Sequence, residues 1–466
     1  MKMKKYNILS VVLVLLISVF IVSCDTWIDP DINKDPNTPL VVPMEYLLPA
    51  IQSNMAYDLG GNDAVRTLGI WMQYFNGVDR QSETEGHFVY TPANCNNLWN
   101  SIYGVTGKDI YILISKANEK NADDIALSIH TSGVAKVLMA DLLAFTTNLW
   151  NDIPYTEAFL GDIEGLMNPK LDTQAEIYAT IDLLLSEAIT ELSVEESILP
   201  IEGDMIFDGD NEQWLATAYA LRARYSLLLQ KVNGASAYTE ALQYADSALV
   251  HGFAGYIFDN YGTAANAKNP LAQFMSERSG DLVMGSTFID MLVANNDPRL
   301  AQYSTGSEGS DPGTSDPGSL PGNYAAAATA PIVHMNLAEL YFIMAESYIM
   351  TANSADAFDA YIDGVEASLD DVTGSHGTLP TDVDAMDEAS LTLEDIMIQK
   401  YLANYVTVQA FNDWRRTGFP TLGMPFEAVT TEIPRRYPYP QEEETYNSNV
   451  SNVGIDLIDR VWWDVE

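Results

Sequence analysis

Asp79, Arg80, Gln81, His87, Asn94, Asn96 and Asn97 crowd the stretch Gly77–Trp99 with planar or charged hydrogen-bonding groups. Phe88, Tyr90 and Trp99 stand among them. Flat aromatic faces against C–H groups, with planar polar side chains for hydroxyls, are the chemistry of sugar recognition. Tyr261, Phe274, Arg278, Tyr303 and Tyr324 flank other long connections and are secondary candidates. Packing competes for each of these residues. Trp99 and Tyr103 lie four apart on a predicted helix, so either could face a core.

Bond-making chemistry has no matching pattern. The five histidines, His87, His130, His251, His334 and His376, are scattered, and no His-Glu-x-x-His or Gly-x-Ser-x-Gly occurs. Gly104–Asp109 only echoes a phosphate loop and lacks its spacing. Two carboxylates suffice for glycoside hydrolysis, and 65 acidic residues make such pairs unavoidable, but no pair is singled out. Asp208-Gly209-Asp210-Asn211-Glu212 is rich in oxygen but lacks the order of an EF-hand loop. It reads as a turn and the cap of the helix holding Trp214, with Ca2+ the alternative. No cofactor is expected.

The formal charge of −42 excludes nucleic acid as a natural partner, because such a chain repels phosphate backbones. Neutral ligands carry no such penalty. Met1–Lys5 is basic, Ile8–Val22 is an almost unbroken apolar run, and the run ends at Ser23-Cys24. These are the parts of a secretory signal. Ile21-Val22-Ser23-Cys24 resembles a lipobox with Ile in place of the usual Leu, which predicts palmitate or similar acyl chains on Cys24 and removal of residues 1–23. Residues 24–40, interrupted by Pro30 and Pro36, read as a tether. Residues 41–466 are expected to form one domain. No later run approaches a membrane span. Cys95 is then left unpaired, a small buried thiol.

The elements that must position these residues are helices. Ile177, Ile181, Leu184, Ala188 and Leu192 fall at helical spacing behind a Thr173/Glu176 capping box. Trp214, Ala218, Leu221, Tyr225 and Leu228 repeat the pattern. Asn336 should cap a helix with Leu337, Leu340, Met344 and Tyr348 inward. Ala237, Ala241, Ala245 and Ala248, and then Ala355, Phe358 and Tyr361, look like the close-packed second helices of tetratricopeptide pairs. Gly252–Phe258 and Ile433–Pro440 are at most short extended pieces. Gly60–Ala93 and 370–390 read as long connections, and Gly306–Gly322 as a flexible surface loop.

Eight segments, in order, resemble the SusD/RagB family. They are Asp31–Asn37, Trp71–Tyr74, Leu149–Tyr155 with Glu157-Ala158, and Asp208–Asp210 with Trp214 and Leu221–Arg224. Asn296–Leu300, Ala338–Glu346, Asp413–Gly418 with Pro420, and Ile433–Pro440 complete the series. Asn151 stands where the family usually has Gly, and Asn tolerates the left-handed backbone that Gly implies. The resemblance implies an all-α fold: tetratricopeptide-like pairs in a right-handed superhelical scaffold, few short strands, and long loops carrying the ligand face, among them the loop after the Trp71 helix. It also implies a non-catalytic lipoprotein of the outer membrane, at the cell surface, that captures oligosaccharide or a similar nutrient for a SusC-type TonB-dependent transporter. The motif residues read as architecture. Trp150 and Pro154 end a helix, Arg222 and Arg224 pair with acids such as Glu339 or Glu346, and Asp413–Arg416 tie helices to the closing segment. The rivals are a helical-repeat scaffold binding only protein and a surface glycoside hydrolase.

Overall fold

The computed structural model describes residues 42–466 apart from 121, 162–164 and 452. The signal segment, Cys24 and the tether lie outside the described residues. Met44–Glu466 form one compact unit.

In chain order the helices and strands are α1 (Met44–Gly60), α2 (Asn62–Trp71), β1 (Phe75–Gly77), α3 (Arg80–Gly86), α4 (Pro92–Ser101), α5 (Gly107–Ala117), α6 (Ile129–Trp150) and α7 (Gln174–Leu192). There follow α8 (Asn211–Leu228), α9 (Ala235–Val250), β2 (Tyr256–Phe258), α10 (Pro270–Glu277), β3 (Leu282–Met284) and α11 (Ser286–Ala294). The last are β4 (Ile332–Met335), α12 (Leu337–Met350), α13 (Ser354–Thr373), α14 (Leu393–Ala403) and α15 (Gln409–Thr417), with short helical turns between. The fold is all-α: among the described residues, four short strands form two antiparallel two-stranded pieces, β1 with β3 and β2 with β4.

Helix α6 is buried on every side from His130 to Trp150, as expected of a helix at the centre of a core. Its neighbour α7 starts at the predicted capping box, with Thr173 and Glu176 bonding reciprocally, and buries Ile177, Ile181, Leu184, Ala188 and Leu192. Asp210 caps α8 through the Glu212 and Gln213 amides, so the oxygen-rich turn serves a helix start. Extensive packing joins α6 to α7, α8 to α9 and α12 to α13, which are the tetratricopeptide-like pairs. Ala237, Ala241, Ala245 and Ala248 are all fully buried in α9.

Three expectations need correction. In α13 the inward stripe is Ala357, Ala360, Tyr361 and Gly364, while Ala355 is exposed and Phe358 half-buried. Small residues let α13 approach α12, and a Cβ on Gly364 would lie 2.9 Å from the Phe342 ring. In α12, Asn336 does accept the Glu339 amide, but Leu337 and Tyr348 are only half-buried, and Phe342 and Ala345 fill the interface. Gly60–Ala93 is no long connection, since α2, β1 and α3 occupy most of it. Ile433–Pro440, expected to be at most a short extended piece, forms no strand, since Pro434, Pro438 and Pro440 have no N–H to give a ladder.

That closing segment is latched instead. Trp150 Nε1 donates to the Pro438 carbonyl at 2.8 Å, and the Tyr437 amide donates to the Leu149 carbonyl at 2.8 Å. Asn151, with φ +71°, turns the chain out of α6 just beyond them. Arg415 Nη1 donates to the carbonyls of Asn148 and Arg435. Buried charges are paired across helices. Arg224 is bidentate on Glu339 at 2.7 Å, and Arg416 holds Glu346 on α12 and Asp413 one turn back on its own helix. Arg222, expected to find a buried acid such as Glu339 or Glu346, instead pairs at the surface with exposed Asp182 on α7. Burial pushes the Asp413 carboxyl up, but Lys400 and Arg416 beside it hold it below the usual carboxylate range.

Candidate functional site

The β1–β3 pair, with Asn76 opposite Val283 and Gly77 opposite Leu282, is the platform of the site. Asn76 is buried, and its side chain is fully committed to the 306–322 loop. Its Nδ2 donates to Ser310 Oγ and to the Thr314 carbonyl, each at 2.8 Å, and its Oδ1 accepts the Gly313 amide at 3.0 Å. The loop is further fastened to β3 by Met284–Ser310 and Met284–Ser319 backbone bonds. The predicted flexible loop is therefore a fixed wall, because one amide side chain and an exposed strand edge satisfy its polar groups.

Two more segments close on that wall. Helix α3 sits on α2 through Arg66, bidentate on Glu85 at 2.8 and 2.9 Å. Burial opposes the Arg66 charge, but Glu85 more than offsets it and raises the guanidinium above its ordinary range. Beyond α3, His87 Nε2 lies 3.0 Å from the Gly313 carbonyl; a carbonyl only accepts, so that nitrogen carries the proton. The 419–432 segment arrives from the other side. Gln73 Nε2 donates to the Gly423 carbonyl at 2.6 Å, Phe426 N to the Pro312 carbonyl at 2.9 Å, and Val429 N to the His87 carbonyl at 3.0 Å. Gly313 is where the segments touch: its φ is +76°, and a Cβ there would overlap the Phe426 carbonyl.

Between these segments lies a cleft of about 260 Å³. Glu83 and His87 form one side, Gly313, Thr314 and Ser315 the back, and Phe426 and Glu427 the other. Phe426 is 62% exposed, with exposed Met424 and Val429 nearby in its loop. A bare phenyl face beside carboxylates and hydroxyls, with no lysine or arginine in the lining, suits a neutral polyhydroxylated ligand. Among the described residues no group of three or more His, Cys, Asp or Glu could hold a metal ion.

The structure disperses the residues chosen from sequence. Phe88, Tyr90, Trp99 and Tyr303 are buried in the core and present no face to a ligand. Trp71 meets Phe88 and Tyr90 edge-on, and Trp99 meets Trp150 at 5.2 Å. Tyr303 donates to the Leu402 carbonyl. Asn94 closes the Thr91 capping box, and Asn96 Oδ1 accepts the Glu442 amide at 3.3 Å. Asn97 is exposed on α4. Exposed Asp79 caps α3, and exposed Arg80 is held on Asp281. Phe274 lies half-buried under Arg66, Arg278 is exposed, and Tyr324 donates to Asp371 at 2.8 Å. Of the residues named in that stretch only His87 reaches the cleft, joined by its unnamed neighbour Glu83. Phe426, Glu427, Thr314 and Ser315 were not foreseen. A Phe in a Gly- and Pro-bearing segment without helical or strand spacing was the available signal.

Residues 36–440 match the family SusD-like, described as starch-binding and associating with the outer membrane. The chain belongs to the SusD-like family. Its fold matches a SusD/RagB family protein from Bacteroides thetaiotaomicron with a TM-score of 0.75 and 25% identity, over 91% of this chain and 99% of that one. A chitin-binding protein matches at 0.75 and 24%, over 91% and 100%. A chitin-binding SusD homolog from Flavobacterium johnsoniae matches at 0.73 and 22%, over 90% and 98%. No curated protein shows significant similarity to the sequence. SusD-like proteins bind carbohydrate in association with the outer membrane, and they are binding proteins rather than enzymes. Among the described residues no helix is long and apolar enough to cross a membrane.

Proposed function

We propose that this SusD-like chain is a surface lipoprotein that binds an oligosaccharide in the Phe426 cleft and delivers it to a SusC-type TonB-dependent transporter, without catalysis. The observation that carries the binding role is the exposed Phe426 ring, held by backbone bonds beside Glu83, His87, Thr314 and Glu427. The family description and the chitin-binding relatives supply the ligand class. Acyl chains on Cys24 confine the protein to the membrane plane and raise its effective concentration at the transporter.

Titration calorimetry with maltoheptaose and with chitin and cellulose oligosaccharides tests this reading. At least one should bind, and Phe426→Ala should weaken it about tenfold or more, a loss of about 1.4 kcal/mol. Unchanged affinity in Phe426→Ala removes the cleft from the reading. Steady release of shorter sugars, abolished by Glu83→Gln or Glu427→Gln, would make the protein a hydrolase instead. Radiolabelled palmitate should enter the wild type and not Cys24→Ser.

A further inference from the structure

A second cavity, of about 380 Å³, lies among α7, α8, α9 and the C-terminal Trp462. Its volume is within the range of small-ligand sites. None of its lining residues belongs to the Phe426 cleft.

Its floor is rigid and aromatic. The Tyr178 and Tyr225 rings are buried, with their hydroxyls turned inward onto Asn148 and Asp141, each at 2.7 Å. Tyr244 and Trp462 line it as well, and the Trp462 residue is 37% exposed. The Arg222 guanidinium lies 4.4 Å from the Tyr244 ring centre. Its Nε and Nη2 both donate to one oxygen, Asp182 Oδ1, at 2.9 and 2.7 Å. A guanidinium held by an acid and a ring loses little freedom when a ligand arrives.

That arrangement leaves Arg222 Nη1 as a donor and Asp182 Oδ2 as an acceptor in one planar unit. The side chains of Ser226, Asn233 and Glu240 form no hydrogen bond or ion pair with another described residue, and all three line the cavity. Nearby planar donors and acceptors match adjacent hydroxyls, and the indole matches C–H groups. A docked amphipathic helix would need an apolar stripe instead, and the polar groups here break any such stripe.

We propose that this helical cavity is a second carbohydrate site, sized for a mono- to trisaccharide, with Trp462 as its stacking face and the Arg222–Asp182 unit as its hydroxyl reader. A second site on one chain would hold two parts of a glycan at once, or two glycans, and raise avidity.

Calorimetry and saturation-transfer NMR on the full chain in detergent, with maltotriose, N,N′-diacetylchitobiose and cellotriose, test the proposal. Phe426→Ala should keep one binding event, and Trp462→Ala introduced beside it should abolish that event. Glu240→Gln, an exposed change that does not threaten the fold, should weaken the same event severalfold. Identical isotherms for wild type, Trp462→Ala and Glu240→Gln overturn the proposal and leave the Phe426 cleft standing. Loss of all binding in Trp462→Ala with none in Phe426→Ala supports it and overturns the cleft. Failure of every sugar to bind the wild type overturns both. Trilysine binding that Glu240→Gln removes, with no sugar at the cavity, overturns it in favour of a cationic peptide.

Discussion

Trp99 and Phe426 are both aromatic, yet one is buried and the other exposed. Trp99 reads in sequence as a platform, yet Cys95, Leu98, Trp99 and Ile102 form one buried helical stripe and the indole is core. That spacing was already in the sequence and outweighed the asparagines around it. Phe426 has no such stripe, and its loop is held by bonds to residues remote in sequence, Phe426 N to the Pro312 carbonyl and Gln73 Nε2 to the Gly423 carbonyl. Asp58 is a buried carboxylic acid near the start of the described residues. Burial pushes its carboxyl up to about 6, against hydrogen bonds from Ser101 and Thr106 that pull it down. The folded state therefore holds this proton more tightly than the unfolded chain, whose carboxyl titrates at the ordinary 3.8. The stability from the neutral acid is complete below that value and is lost as pH rises through about 6. Asp58→Asn should stabilise the protein by about 1–3 kcal/mol at pH 7.5, and by little near pH 4, in urea titrations. A uniform change across pH would sink this account.

Helix by helix, the capping boxes and alternating small residues were legible because they depend on neighbours three and four apart. The α7 start matched the expectation, and all four alanines of the α9 stripe are fully buried. The frame of α13 was only partly legible, since Ala355, Phe358 and Tyr361 also fall at helical spacing and share Tyr361 with the true stripe. Contact with α12 chose between them. Gly364 is the tight point, and Gly364→Val should cost about 1–3 kcal/mol through overpacking against Phe342, read as a shift in thermal midpoint. The Arg416–Glu346 pair joins α15 to α12 and is almost wholly buried. Glu346→Gln should cost about 3 kcal/mol, because Asp413 answers only part of the guanidinium charge. A loss below half of that would mean the network repacks.

The molecule as a whole carries a formal charge of −42 over an all-α body, and this directs it towards uncharged solutes. Affinity for a neutral sugar should stay constant within about twofold from 0.05 to 0.5 M salt, since screening acts only between charges. A steep salt dependence in calorimetry would point to an ionic ligand instead. The fold class was readable from the sequence because helical periodicity recurs along most of the chain. The cleft was not, because its walls meet only in three dimensions.

Asn76 and His87, Gly313, and Phe426 come together from three stretches more than a hundred residues apart. No single stretch of the polypeptide contains the cleft, so the proposed grip on a sugar requires all three stretches to be in place. On the proposed function, a chain nicked between those points and let apart would lose the Phe426 site. Retention on a glycan resin would thus grade each preparation for structural completeness.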